Sequence, residues 1–138
     1  MPQIAIRTAI AITLGAIPGA LSRYYIAELS KAVLGKDSAY YGIFFVNISG
    51  CFVIALFLTL NEERFKNWSP EVRLMATTGF CGAYTTFSTY GLDTVTFIQK
   101  GSFTVAIIYW ATSAILGILA ILMGVVVARL VKPSQQGV

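Results

Sequence analysis

The charged residues of this 138-residue chain sit in short clusters, and the long runs between them hold none. Residues 38–61, 74–92 and 101–128 contain no Asp, Glu, Lys or Arg, and residues 8–22 form a shorter clean run ended by Arg23. A helix needs about 20 apolar residues to cross the hydrocarbon core of a bilayer. Three runs meet that requirement, and the first meets it with Arg23 at its edge. Charged residues make up 12% of the chain, where a soluble domain carries about a quarter. The expectation is an all-α, multi-pass membrane protein. A cleaved leader is disfavoured for the first run. Pro18-Gly19-Ala20 is a poor cleavage site, and apolar character continues through Tyr24, Tyr25, Ile26 and Ala27.

Four transmembrane helices are expected, over about residues 4–34, 38–60, 71–98 and 102–130, in one domain covering 1–138 with a loose polar tail at 132–138. Pro18 predicts a bend in the first. Gly15 and Gly19, four apart, strip one of its faces for close approach to another membrane helix. Pro70 suits the first turn of the third. That third helix is expected to break near 79–85, where Gly79 and Gly82 are followed by the β-branched Thr85 and Thr86 at mid-span. Non-helical backbone at that depth is tolerated only where protein or a water-filled cavity surrounds it. Four helices make a thin object. The polar residues Asn47, Thr85, Thr86, Ser88, Thr89, Tyr109, Thr112 and Ser113 need partners, which an oligomer supplies.

Four crossings place both termini on one side, together with Arg7, Arg64, Lys66, Arg73, Arg129 and Lys132. Lys31, Lys36 and Lys100, with Arg23 nearby, fall toward the other. By the positive-inside rule this is a weak bias, compatible with one orientation or with two.

The chemistry that is missing narrows the function. His is absent, which removes the commonest general base. Cys51 and Cys81 lie inside apolar runs and read as small hydrophobes rather than as a metal site. No nucleophile–base pair or phosphate-binding loop is present, so no enzymatic activity is expected. The net charge of +4 lies at the span ends and suits lipid headgroups better than nucleic acid.

The polar residues inside the spans carry the functional candidates. Asn47 donates two hydrogen bonds, either as interhelical glue or toward an anion. Phe87 and Tyr90 share one helix face. They are packing, or ring edges whose positive quadrupole faces an anion. A helix restarting near Thr85 or Thr86 turns free N–H groups and a positive dipole end into the break, while the unwound carbonyls before it suit a cation. Arg23 is either snorkelling to the headgroups or functional. Tyr109 and Ser113, four apart, form a hydroxyl track or bond to a neighbouring helix, and Asp93 caps a helix or pairs with a cation. No carboxylate sits at mid-span in the first, second or fourth helix, which argues against proton coupling.

The segment Gly79-Phe80-Cys81-Gly82-Ala83-Tyr84-Thr85-Thr86-Phe87-Ser88-Thr89-Tyr90 resembles the central motif of the small bacterial fluoride channels of the Fluc/CrcB type. Gly15 with Gly19-Ala20-Leu21-Ser22-Arg23-Tyr24 is similar to that family's first-helix motif. Gly42 followed by Val46-Asn47-Ile48-Ser49-Gly50-Cys51-Phe52 is similar to its second. The resemblance covers the whole chain. It implies an antiparallel, dual-topology homodimer with two pores in the bacterial inner membrane. Its function would be passive export of fluoride from the cytoplasm, relieving fluoride toxicity. It implies an anion pathway of Asn47, Thr86, Phe87, Tyr90, Tyr109 and Ser113, with Arg23 by a positive vestibule. It also implies a structural sodium ion at the dimer interface, held by the backbone carbonyls of Gly82 and Thr85. Tyr90 stands for a second phenylalanine, Ala83 for a glycine, Gly117 for a serine and Asp93 for a glutamate. The competing expectations are a proton-coupled exporter of the small multidrug type and a structural subunit of a larger membrane complex.

Overall fold

The computed structural model describes residues 2–63 and 68–131, and among these the regular structure is helical. The tail at 132–138 and the side chains of Arg64, Lys66 and Lys132 lie outside the described residues.

Helix α1 (Pro2–Leu34) runs unbroken through Pro18. It ends at Gly35, whose φ of 107° is a left-handed conformation that a side chain would strain. The Gly35 N–H closes the last turn on the Lys31 carbonyl at 3.1 Å. Ser38 then donates its hydroxyl to the Ser30 carbonyl at 2.8 Å, folding the chain back on itself. Helix α2 (Ala39–Glu63) follows, extending three residues past the expected end.

The third expected helix is a composite. Helix α3 (Pro70–Leu74) starts with Pro70 in its first turn and Ser69 as cap, the hydroxyl accepting from the Val72 N–H. A π-helical segment (Met75–Cys81) and a single α-turn, α4 (Gly82–Tyr84), carry it on. Only then does the helix break, at Thr85 (φ −86°, ψ 160°) and Thr86 (φ −152°, ψ 122°), before α5 (Phe87–Gln99). The disruption is therefore later and narrower than residues 79–85. A turn at Lys100–Gly101 leads to α6 (Phe103–Leu130).

Helices α1, α2 and α6 are long and apolar enough to cross a membrane. Most of their large aliphatic side chains, such as Ile10, Leu14, Ile107 and Leu122, face outward. The interior combines small residues with Ile43, Val46, Tyr84, Tyr90 and Tyr109. Along α6 the buried positions include Ala106, Gly117, Ala120, Gly124 and Ala128, and that stripe packs on α2. In lipid no hydrophobic force draws helices together, so close backbone approach is what joins them. Gly15 and Gly19 show this most sharply. A Cβ on Gly15 would strike the Met75 carbonyl oxygen, and one on Gly19 the Phe80 carbonyl oxygen. The glycine face of α1 thus docks on the π-helical segment.

Two ion pairs mark one end of the bundle. Arg7 of α1 meets Glu71 of α3 at 3.2 Å, and Arg129 of α6 meets Glu63 of α2 at 3.0 Å. Exposed pairs of this kind contribute about 0–1 kcal/mol each, so they report the arrangement more than they hold it. The composite segment begins beside Arg7, and its far end turns directly into α6, which returns to Glu63.

Candidate functional site

Two extended residues inside a helix leave backbone groups without ladder partners, and in lipid each unsatisfied group costs several kcal/mol. Asn47 resolves this at Thr86. Its Oδ1 accepts the Thr86 N–H at 2.8 Å, and its Nδ2 donates to the Thr86 carbonyl at 3.1 Å. A side-chain amide has the donor and acceptor of a peptide, so α2 pairs with the break as a neighbouring strand would. Both readings of Asn47 meet in this geometry. It bonds between segments, and a second Nδ2 hydrogen remains on a side chain that lines a groove. Gly50, one turn on, leaves the space that the Thr85 Cγ2 fills.

Thr86 is buried and caps α5. Its Oγ1 accepts the Thr89 N–H at 3.2 Å and lies 3.1 Å from the hydroxyls of both Ser88 and Thr89. These two diversions have a joint effect. In an unbroken helix the Thr86 and Thr89 N–H groups would reach the carbonyls of Gly82 and Thr85. Here they go to Asn47 and to the Thr86 hydroxyl, which releases both carbonyls. The Thr85 carbonyl accepts instead from Arg23 Nη1 of α1 at 3.3 Å.

Phe87 is the most open large residue of the region, 83% exposed, whereas Tyr90 is buried. Their rings lie 5.9 Å apart at 45°. The Tyr90 hydroxyl donates to the Trp110 carbonyl at 3.2 Å, tying α5 to α6. Tyr109 stacks behind Tyr90 at 5.2 Å and donates to Asp93 Oδ2 at 3.3 Å. It sits in an aromatic cluster with Tyr40, Phe44 and Phe97. Ser113 donates to the Tyr109 carbonyl at 2.7 Å.

A groove of about 800 Å³ runs along α2, the break and α6. It gathers Asn47, Gly82, Thr85, Thr86, Phe87, Tyr90 and Ser113 on one wall system. Tyr109 lies behind that wall and Arg23 on the α1 side of the break, so neither lines it. Trp110 and both cysteines do. Read along the sequence, Trp110 passes for a lipid-facing aromatic and the cysteines for filler; only the packing brings them together. The lining is mostly apolar, with Ile54, Leu58 and Ala114 beside the aromatic rings; its polar groups are amide, hydroxyl and thiol, with no Asp, Glu, Lys or Arg. Such a surface can replace part of an ion's hydration shell without binding it as a fixed countercharge would. Among the described residues no cluster of His, Cys, Asp and Glu suits a transition metal. The two released carbonyls are hard oxygen donors of the kind that suit an alkali or alkaline-earth cation.

The sequence is similar to those of known proteins. The family described as CrcB-like protein, Camphor Resistance (CrcB), matches residues 10–125. A fluoride-specific ion channel FluC of Trichormus variabilis is 46% identical over 94% of this chain and 94% of its own length. One from a Synechococcus strain is 44% identical over 94% of this chain and 98% of its own. One from a Synechocystis strain is 39% identical over 90% and 94%.

Proposed function

The chain belongs to the CrcB-like protein family, and from that membership we propose that it is a fluoride-specific channel of the bacterial plasma membrane, passively exporting fluoride and so relieving its toxicity. The observation that carries this reading is the groove lining, which offers hydrogen-bond donors and ring edges but no fixed charge. Fluoride is small and strongly hydrated, so a pore has to substitute for its water. The second Nδ2 hydrogen of Asn47 and the hydroxyls of Thr86 and Ser113 are the substitutes, with Ser113 rotating off the Tyr109 carbonyl. The positive edges of Phe87 and Tyr90 add weak attraction that lets the ion move on. Tyr109 extends the hydroxyl track behind Tyr90, and the Arg23 guanidinium raises the potential near the break. In acid surroundings HF crosses the lipid as a neutral molecule and dissociates inside; the membrane potential then drives the trapped anion out.

This reading takes the composite segment α3–α5 as a fourth crossing and joins two copies as an antiparallel, dual-topology homodimer. The opposite placement of the segment's ends supports the crossing. The open groove and the outward Phe87 support a second copy as its cover. The released carbonyls of Gly82 and Thr85 would hold a sodium ion between the copies. The Thr85 oxygen accepts a hydrogen bond from the Arg23 guanidinium, which supports its reading as a donor to cations. When bound, sodium supplies a fixed positive charge and a bond between subunits.

A proton-coupled exporter is disfavoured because no carboxylate lines the groove. The deciding experiment is fluoride efflux from liposomes holding the purified chain, read with a fluoride electrode under a valinomycin-set potential, beside the same assay for chloride. Fast fluoride release with little chloride release is expected. Equal chloride release, or none of either ion, overturns the assignment.

A further inference from the structure

The geometry points to Arg23 as the residue that sets how tightly the break holds its cation. The inference rests on the sodium reading of Gly82 and Thr85. The Thr85 carbonyl has lost its helical donor, because the Thr89 N–H goes to the Thr86 hydroxyl. One of its two lone pairs accepts from Arg23 Nη1 at 3.3 Å. A cation on the other lone pair therefore shares one oxygen with a guanidinium. Two positive charges so close in a low-dielectric setting repel. The carbonyl is aimed by Arg23, and the cation is weakened by it. Arg23 is thus a positioning residue with an electrostatic cost to the site, and the bound cation stays exchangeable. A purely packing role would give a different pattern, since the aliphatic stem of Arg23 is kept by other side chains of similar length.

The test uses the full chain in detergent, with thermal unfolding followed as sodium chloride replaces N-methylglucamine chloride at constant ionic strength. Wild type is expected to be stabilised by sodium with a measurable midpoint. R23Q, which keeps an N–H donor and loses the charge, should lower that midpoint roughly tenfold. R23K, which keeps the charge, should leave it near the wild-type value. If R23Q does not fold, R23M serves with the same expected direction. An unchanged or higher midpoint in R23Q, with sodium stabilisation intact, overturns the role of Arg23 and leaves the cation site standing. Absence of sodium stabilisation in every variant overturns both the role and the site. Fluoride efflux of the wild type, run in parallel, then shows whether the channel reading survives on its own.

Discussion

Asn47 and Thr86 exchange two hydrogen bonds across the groove, each using both its donor and its acceptor, at 2.8 and 3.1 Å. Asn47, the amide that α2 presents to the groove, is thus also the one that keeps the broken helix satisfied. Asn47→Asp separates the two duties. The carboxylate still accepts the Thr86 N–H but confronts the Thr86 carbonyl with no donor. Thermal unfolding should show a loss of about 1–3 kcal/mol, and liposome efflux should show fluoride flux largely abolished. Normal flux in N47D would remove Asn47 from the pathway.

Gly50 and Thr85 should be coupled. Gly50→Ala puts a methyl where the Thr85 Cγ2 sits, and Thr85→Ser removes that methyl. The double variant is expected to recover stability lost in G50A, with a coupling of about 0.5–3 kcal/mol in a double-mutant cycle. Strict additivity would mean the break relaxes away from α2 instead.

Backbone contact at Gly19 predicts a steep cost. Gly19→Ala drives a Cβ into the Phe80 carbonyl and should lower stability by about 1–3 kcal/mol. Gly91→Ala in α5 is the matched control, with nothing within 4 Å of the added carbon. It should be neutral or stabilise by about 0.5–1 kcal/mol through helix propensity. Melting curves of the two variants in the same detergent decide the point.

Tyr90→Phe removes the bond to the Trp110 carbonyl while keeping the ring. The expected loss is about 0.5–1.5 kcal/mol of stability, with fluoride efflux kept within a few-fold of wild type. A collapse of flux in Y90F would make the hydroxyl, rather than the ring edge, the contribution of Tyr90 to the pathway.

The spans were readable because exclusion of charge from hydrocarbon leaves long blank runs, and α2 and α6 fall on two of them. The place of the break was harder to read. Gly79 and Gly82 suggest disruption, yet Gly79 serves close packing on α1, and the chain stays helical through Tyr84 by widening into π-turns. What opens the helix is the diversion of the Thr86 N–H to Asn47 of α2 and of the Thr89 N–H to the Thr86 hydroxyl, an effect invisible in local propensity. Arg23 was ambiguous for a related reason. Its choice between headgroup and interior depends on the Thr85 carbonyl, which becomes an acceptor only once the break has formed. Pro18 lies inside α1, which continues through it without a break.

The π-helical stretch from Met75 to Cys81 also works as a phase adjuster. Each bond there spans one residue more than in an α-helix, so the segment stores surplus chain in the same length of axis. Rewinding it as α-helix with every residue kept would swing everything downstream by about 100°. Asn47 would then face a different peptide, although every side chain around the break had been kept. The azimuth of the whole site is therefore written upstream of it, in the winding of a segment whose Cys81 carbonyl anchors the Thr85 N–H and hydroxyl at the break.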